Sequence, residues 1–152
     1  MNSKPIVANK LYAVHTSYVV DFTLTNNIIL IMGDSGTGKS VIFSILQEAA
    51  SSDDRIVPIS YMDKNKDIER QIRVQSGKII LVDNADVLLT DELRKYIAFD
   101  SKNQYIILGR NPQNLMTTRE NLFELNTIQK DEMTIFKLKM CIRDSSGAVE
   151  SR

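Results

Sequence analysis

Residues 33–40, GDSGTGKS, combine glycines, a lysine and a hydroxyl at a spacing that suits phosphate groups. The glycines permit backbone conformations and close approaches that a Cβ would block, so consecutive N–H groups can turn toward phosphate oxygens. Lys39 adds a positive charge for the outer phosphates, and the Ser40 hydroxyl is a suitable ligand for Mg²⁺. We expect this segment to hold the phosphates of a nucleotide. The predicted nucleotide-binding residues are Gly33, Asp34, Ser35, Gly36, Thr37, Gly38, Lys39, Ser40 and Val41.

The flanking sequence predicts the elements that would position this segment. NIILIM, residues 27–32, is a continuous apolar run, typical of a parallel strand covered on both faces. VIFSILQEAA, residues 41–50, has the apolar spacing of one helix face. A strand, a glycine loop and a helix in this order are the context that a phosphate-binding segment needs, which argues against a chance match in a glycine-containing turn.

The remaining sequence alternates predicted strands with predicted helices, which favours right-handed crossovers and a parallel sheet. Pro58 favours an edge position for its strand, because proline cannot donate to a ladder. The segments at the two ends of the chain predict antiparallel pairs. Strands are predicted at 10–14, 18–24, 27–32, 55–60, 78–82, 105–109, 121–128 and 132–139, and helices at 41–50, 63–75 and 90–99.

From residue 28 to about 128 the chain resembles the P-loop nucleoside triphosphatases. GDSGTGKS resembles the Walker A motif, and IILVD, residues 79–83, resembles Walker B. The chain order of the strands is similar to that of the additional-strand branch, which includes the AAA+ and RecA-like ATPases. The resemblance implies a three-layer α/β fold with a mostly parallel five-stranded core sheet, in the spatial order 5-1-4-3-2, to which the N-terminal and C-terminal β-hairpins are added. It also implies ATP and Mg²⁺ as cofactors.

The Walker B resemblance implies roles for the residues that end this strand. Asp83 would share Mg²⁺ with Ser40; the alternative is that it only caps the next turn. The family's usual acid is replaced by Asn84, whose amide can orient water but cannot accept its proton. The chain thus departs from the family at the position most tied to hydrolysis. Asp86 is a candidate substitute for that acid, or a cap for the segment that follows.

The resemblance also implies a polar sensor after the strand YIILG. Arg110 and Asn111 are the candidates, with Asn111 favoured because GRNP resembles the family's asparagine-bearing loop; turn initiation by Asn111 and Pro112 is the alternative. Arg119 would serve as an arginine finger in trans if the protein oligomerises, and otherwise is a solvated charge. The predicted catalytic residues are Lys39, Asn84, Asp86, Arg110 and Asn111.

Composition limits the classes of function. A chain of 152 residues with 43% apolar and 25% charged residues fits one globular domain. Nineteen basic residues balance nineteen acidic ones, so no bulk field attracts nucleic acid or an anionic membrane. No stretch approaches the roughly eighteen apolar residues of a membrane helix, and no leader pattern begins the chain, so we expect a cytoplasmic protein. The single cysteine, Cys141, forms no internal disulfide and no cysteine cluster for a metal.

Residues 140–152, MCIRDSSGAVESR, differ in character from the strand-like TIFKLK before them. They are mostly small and polar without periodicity, and MCIRDS resembles the translation of the transposon mosaic end used to prepare sequencing libraries. We predict that residues 1–139 form a single P-loop domain and that 140–152 are a non-native tail, with native sequence continuing differently beyond about Lys139. A natural disordered tail is the alternative.

Three functions fit these residues. The first is an ATPase that binds Mg·ATP and hydrolyses it slowly, or uses the bound state as a switch for a partner protein or a homo-oligomer. The second is a P-loop kinase, because GDSGTGKS also resembles the loop of HPr kinase and, less closely, that of guanylate kinase; Arg70 and Arg73 would then lie on the acceptor side. The third is a scaffold with a degenerate loop, against which the intact Lys39, Ser40 and Asp83 argue.

Overall fold

The computed structural model describes residues 4–33, 38–60, 67–110 and 119–141. Strands contain 40% and helices 27% of these residues. The strands are β1 (Lys10–His15), β2 (Tyr18–Thr23), β3 (Ile28–Met32), β4 (Ile56–Ile59), β5 (Ile79–Val82), β6 (Gln104–Gly109), β7 (Leu122–Lys130) and β8 (Met133–Met140). The helices are α1 (Lys39–Ala49), α2 (Ile68–Arg73), α3 (Ala85–Leu88) and α4 (Asp91–Phe99), with a 3-10 turn at Arg119–Asn121.

These strands form one sheet in the order β1-β2-β8-β7-β3-β6-β5-β4. The pairs β7–β3, β3–β6, β6–β5 and β5–β4 are parallel. The hairpins β1–β2 and β7–β8 are antiparallel, as predicted, and they meet through a parallel β2–β8 pair. Pro58 lies in β4 at the edge of the sheet, which confirms its predicted position.

The predicted fold class is wrong. A three-layer α/β fold with a mostly parallel five-stranded core was expected, whereas strands dominate and the sheet is mixed and eight-stranded. The hairpins are not additions to the sheet, because β2 and β8 continue it without a break. Their pairing follows from packing: Val20 and Phe22 of β2 join Phe136 of β8 in the apolar cluster that covers α1. The two strands lie near opposite ends of the chain, so no local pattern predicts that they are neighbours.

Apolar side chains cover both faces of the sheet. On one face, α1 packs Ile42, Ile45 and Leu46 against strands from both the parallel and the hairpin regions. On the other face, α2, α3 and α4 pack against β3, β4, β5 and β6. The continuous apolar strands β5 and β6 are buried along their whole length because helices cover both of their faces.

The ends of the helices follow ordinary capping chemistry. The Thr90 hydroxyl accepts a hydrogen bond of 3.1 Å from the Leu93 amide at the start of α4. The Asp67 carboxylate accepts one of 3.1 Å from the Arg70 amide at the start of α2. These caps satisfy first-turn N–H groups that no backbone carbonyl reaches. They also fix the residue at which each of these two helices begins.

Candidate functional site

The carboxyl ends of the parallel strands meet at one edge of the sheet. Met32 lies beside Gly109, and Val82 beside both Ile107 and Ile59. The residues that follow β3, β5 and β6 are Gly33, Asp83 and Arg110. They therefore emerge at the same edge, where open sheets with parallel strands commonly hold ligands.

Two glycines of the predicted phosphate-binding segment, one on each side of residues 34–37, have backbone conformations that favour glycine. Gly33 has φ 151° and Gly38 has φ 106°. A Cβ on Gly38 would lie 2.9 Å from Cε1 of Phe136 and 3.5 Å from Cδ1 of Leu125. Both the backbone angle and the space therefore require glycine at position 38. Residues Asp34, Ser35, Gly36 and Thr37 lie outside the described part of the chain.

Helix α1 begins at the predicted phosphate-binding residues. Lys39 is its first residue, and its ammonium donates a hydrogen bond to the Gly33 carbonyl, which joins the two ends of the segment. Ser40 is exposed on the first turn, while Val41 is partly buried against the apolar cluster around α1. The N-terminal turn of a helix attracts anions because its N–H groups lack helical partners.

Asp83 lies directly after β5 and is partly buried. Its amide donates to the Ile59 carbonyl at 2.9 Å, and its Oδ1 accepts from the Asn84 amide at 3.0 Å. Burial raises the pKa of the Asp83 carboxyl above its ordinary value, whereas the Asn84 amide and the positive charge of Lys39 lower it. The Lys39 charge therefore acts on Asp83 across the edge of the sheet.

Asn84 forms a sharp bend between β5 and α3. It has φ 53° and ψ 48°, a left-handed conformation, and it is exposed. Its carbonyl accepts from the amides of Val87 at 2.9 Å and Leu88 at 3.0 Å, while its side chain caps no helical amide. Asparagine is one of the few residues other than glycine that adopt this conformation readily. The bend is thus a structural reason for asparagine at this position.

Asp86 lies in the first turn of α3, where its Oδ2 accepts a hydrogen bond of 2.9 Å from the Arg110 amide. This bond ties α3 to the end of β6. The Asp86 carboxylate therefore holds the backbone at Arg110, on the neighbouring strand end. The N-cap position of α3 is Asn84 and not Asp86. Arg110 is exposed, and the predicted sensor Asn111 lies outside the described residues.

The 3-10 turn that contains Arg119 is held at the opposite end of β3 from the site. Asn26, just before β3, donates from Nδ2 to the Glu120 carbonyl at 2.7 Å and to Asn121 Oδ1 at 2.9 Å. These bonds fix the backbone turn that leads into β7. No local pattern predicts the contact that Phe136 and Leu125 make with Gly38, because both residues belong to a hairpin far along the chain.

No protein-family model matches this chain, and no curated protein is significantly similar to it.

Two further properties concern the possible ligands. Within residues 4–33, 38–60, 67–110 and 119–141, no three His, Cys, Asp or Glu residues come together in a way that could hold a metal ion. No helix in the same residues is long and apolar enough to cross a membrane.

Proposed function

We propose that the chain binds Mg·ATP through residues 33–40 and Asp83, and that it hydrolyses ATP slowly or uses the bound state as a switch for a partner protein. One observation carries the proposal. The phosphate-binding segment and Asp83 lie at the same edge of the sheet, close enough that the Lys39 charge lowers the pKa of the Asp83 carboxyl. A cation on one element and a carboxylate on another, both at this edge, are suited to binding a nucleotide with Mg²⁺.

The segment suits a phosphate for three reasons. Gly38 has φ 106°, a backbone conformation that favours glycine and lets N–H groups of a loop turn toward a phosphate. The N-terminus of α1 supplies N–H groups and a favourable dipole. Lys39 already bonds an oxygen, the Gly33 carbonyl, and a phosphate oxygen would offer it a stronger, charged acceptor.

The oxygen atoms near the segment suit Mg²⁺. Asp83 and Ser40 would hold the ion, and Mg²⁺ commonly takes one or two protein oxygens while keeping water and substrate phosphates. When bound, the ion would offset the negative charge of the phosphates. Asp83 fits this role because its carboxylate is partly buried and Lys39 compensates its charge only in part, as the raised pKa indicates. A bound cation would stabilise the charged carboxylate.

The chemistry beside the phosphates favours slow turnover. The Asn84 amide can position a water molecule by hydrogen bonding but cannot take its proton. The Asp86 carboxylate accepts a hydrogen bond from the Arg110 amide, which ties it to the end of β6. Loss of a general base typically costs a factor of about 10² to 10⁴ in rate. A nucleotide that stays bound would suit a switch, in which a partner protein recognises the nucleotide-bound state. A second copy of the chain that supplies Arg119 could take the place of this partner.

Thermal unfolding with and without nucleotide tests the binding site. We expect Mg·ATP to raise the melting temperature, because a ligand at about 100 times its Kd stabilises the folded state by about 2.7 kcal/mol. Lys39→Ala should abolish this shift. The matched control Lys130→Ala removes a lysine from the exposed end of β7 and should retain it. If Lys39→Ala keeps the full shift, the assignment of the site is wrong.

Phosphate release from the same samples distinguishes the reactions. Slow release without an acceptor supports the proposed ATPase, and stabilisation without release supports the switch. ADP that forms only when a nucleoside monophosphate or a protein acceptor is added would support the kinase alternative instead. The described residues add no support to that alternative, since Arg73 lies near the amino end of β5, away from residues 33–40.

A further inference from the structure

A second recess lies at the other edge of the sheet, where β5 and β6 begin. Arg73, Lys95, Lys102, Tyr96 and Phe99 line an open cavity of about 720 Å³, here named the basic cup, together with the acidic residues Glu92 and Asp100. Arg73 ends α2, Phe99 ends α4 and Lys102 precedes β6. The phosphate-binding segment follows the carboxyl end of β3, so the cup is separate from the proposed nucleotide site.

The floor of the cup is fixed by buried hydrogen bonds. Asp100, at the end of α4, accepts from the Tyr105 hydroxyl at 2.6 Å, from Asn103 Nδ2 at 2.9 Å and from the Lys102 amide at 2.8 Å. Asn103 Nδ2 also donates to the Gln75 carbonyl at 3.0 Å. These bonds hold the segment after α4 against the end of α2. A preformed recess loses little entropy when a ligand binds.

The walls of the cup present positive charge. The Arg73 guanidinium lies 4.6 Å from the centroid of the Tyr96 ring, and the Lys102 ammonium lies 5.8 Å from it. Arg73 is also held by Glu69, whose carboxylate accepts from its Nε at 2.7 Å. Among the described residues, no carboxylate pairs with the ammonium of Lys95 or Lys102. The cup therefore offers cations whose charge is open to a ligand.

An apolar side chain stands at the rim. Phe99 is 85% exposed, an unusual state for a large aromatic residue, and Val74 beside Arg73 is 66% exposed. Exposed aromatic and arginine side chains are the types that dominate protein–protein binding energy. The cup therefore combines the cations of Arg73, Lys95 and Lys102 with the exposed Phe99 ring. This combination complements a ligand that carries both carboxylates and an apolar group.

We propose that the basic cup binds a short acidic segment of a partner protein that carries an aromatic or aliphatic anchor. A nucleic acid strand suits the cup less well. Such strands need a continuous basic track along their phosphates, whereas Arg73 and Lys102 lie close together around Tyr96 and the acidic residues Asp91 and Glu92 interrupt the positive charge along α4. The binding needs no nucleotide, so it stands apart from the proposed function.

Selection from a phage-displayed library of short random peptides tests the inference. The unchanged protein and the double variant Lys95→Gln/Lys102→Gln are screened in parallel. Peptides that bind the unchanged protein but not the double variant should be rich in Asp and Glu around one apolar residue. A synthetic copy of an enriched peptide should bind the double variant with a Kd weakened at least about tenfold, and its affinity should fall as salt is added.

Controls separate the cup from general charge and from folding. Lys130→Gln/Lys139→Gln makes the same charge change on the β7–β8 hairpin and should leave the Kd unchanged. Phe99→Ser changes an exposed side chain outside the core, and it should also weaken the binding of the peptide to the cup. The inference is overturned if no peptides are enriched, if enriched peptides bind all variants equally, or if a single-stranded oligonucleotide binds the cup and acidic peptides do not.

Discussion

Asn84 occupies a backbone conformation that few residues adopt at low cost, with φ 53° and ψ 48°. Because alanine pays roughly 1–2 kcal/mol in this region, we expect Asn84→Ala to lower the free energy of unfolding by about 1 kcal/mol. Asn84→Gly should leave it unchanged or raise it slightly. Urea unfolding of both variants measures the difference. Asn126→Gly in β7 is the control and should destabilise, since glycine weakens a strand. Equal losses for Asn84→Ala and Asn84→Gly would show that the bend does not select asparagine.

Asp83 links the site to pH through its raised pKa. Burial is the main cause, so the folded protein binds this proton more tightly than the unfolded chain does. Stability from this group is therefore fully present below the ordinary pKa of 3.8 and is lost as the pH rises through the folded pKa. Asp83→Asn removes the ionisation, so without nucleotide it should be more stable than the unchanged protein at neutral pH.

Urea unfolding of Asp83→Asn and the unchanged protein over a pH series measures this effect. The advantage of the variant should shrink as the pH falls toward 3.8. The asparagine oxygen can still accept the Asn84 amide, so the local bend is kept. The same variant should lose the Mg²⁺-dependent part of the stabilisation by ATP. A variant that is less stable at neutral pH would contradict this account of Asp83.

Two elements meet at Gly38, where the β7–β8 hairpin packs against the start of α1. A Cβ there would lie 2.9 Å from Phe136 Cε1, and the φ of 106° is unfavourable for other residues. We expect Gly38→Ala to cost about 1–3 kcal/mol of stability and to weaken nucleotide binding. Gly77→Ala is a matched control, because Gly77 has φ 73° but nothing within 4 Å of the added Cβ. Gly77→Ala should lower the free energy of unfolding only by the cost of its backbone conformation.

A double-mutant cycle separates crowding from backbone strain at this contact. Phe136→Leu makes room beside Gly38, so Gly38→Ala should cost less in the Phe136→Leu background than alone. The remaining cost should be that of the backbone conformation alone, and at least as large as that of Gly77→Ala because φ 106° lies farther outside the left-handed region than φ 73°. Unfolding free energies of the four proteins in the cycle give the coupling. If the cost of Gly38→Ala is the same in both backgrounds, the hairpin does not constrain the start of α1.

At the scale of the whole molecule, local patterns predicted much of the structure but not its assembly. Hairpins, continuous apolar strands and the edge position of Pro58 follow from short stretches of sequence. The parallel β2–β8 pair joins segments near the two ends of the chain, and it brings β1 and β2 into the same sheet as the other six strands. Lys39 and Asp83 could be singled out from the sequence because each belongs to a short local motif. The bend at Asn84 and the bond from Arg110 to Asp86 depend on how separate elements pack.

The N-terminal segment before β1 is hydrogen-bonded to the centre of the sheet by two buried residues, Asn27 just before β3, whose Oδ1 accepts from the Ile6 amide at 3.3 Å, and Gln104 at the start of β6. Gln104 makes most of these bonds. Its Oε1 accepts from the amides of Val7 at 2.8 Å and Ala8 at 3.0 Å, and its Nε2 donates to the Ala8 carbonyl at 2.8 Å. Gln104→Met keeps the shape of the side chain but removes all of these partners. We expect it to lower the free energy of unfolding by about 2–4 kcal/mol, because backbone groups lose their bonds near the interior.

Hydrogen exchange shows whether this loss is local or affects the whole sheet. In Gln104→Met the amides of Val7 and Ala8 should exchange faster by more than the fall in global stability explains, because their acceptor is gone. Amides of β5 should follow only the global change. Gln47→Met on the exposed side of α1 is the control and should alter neither. If Val7 and Ala8 stay as protected as β5 in Gln104→Met, their bonds to Gln104 do not hold the segment. The Asn27 bond to Ile6 and the packing of Val7 and Ala8 against the core would then hold this segment.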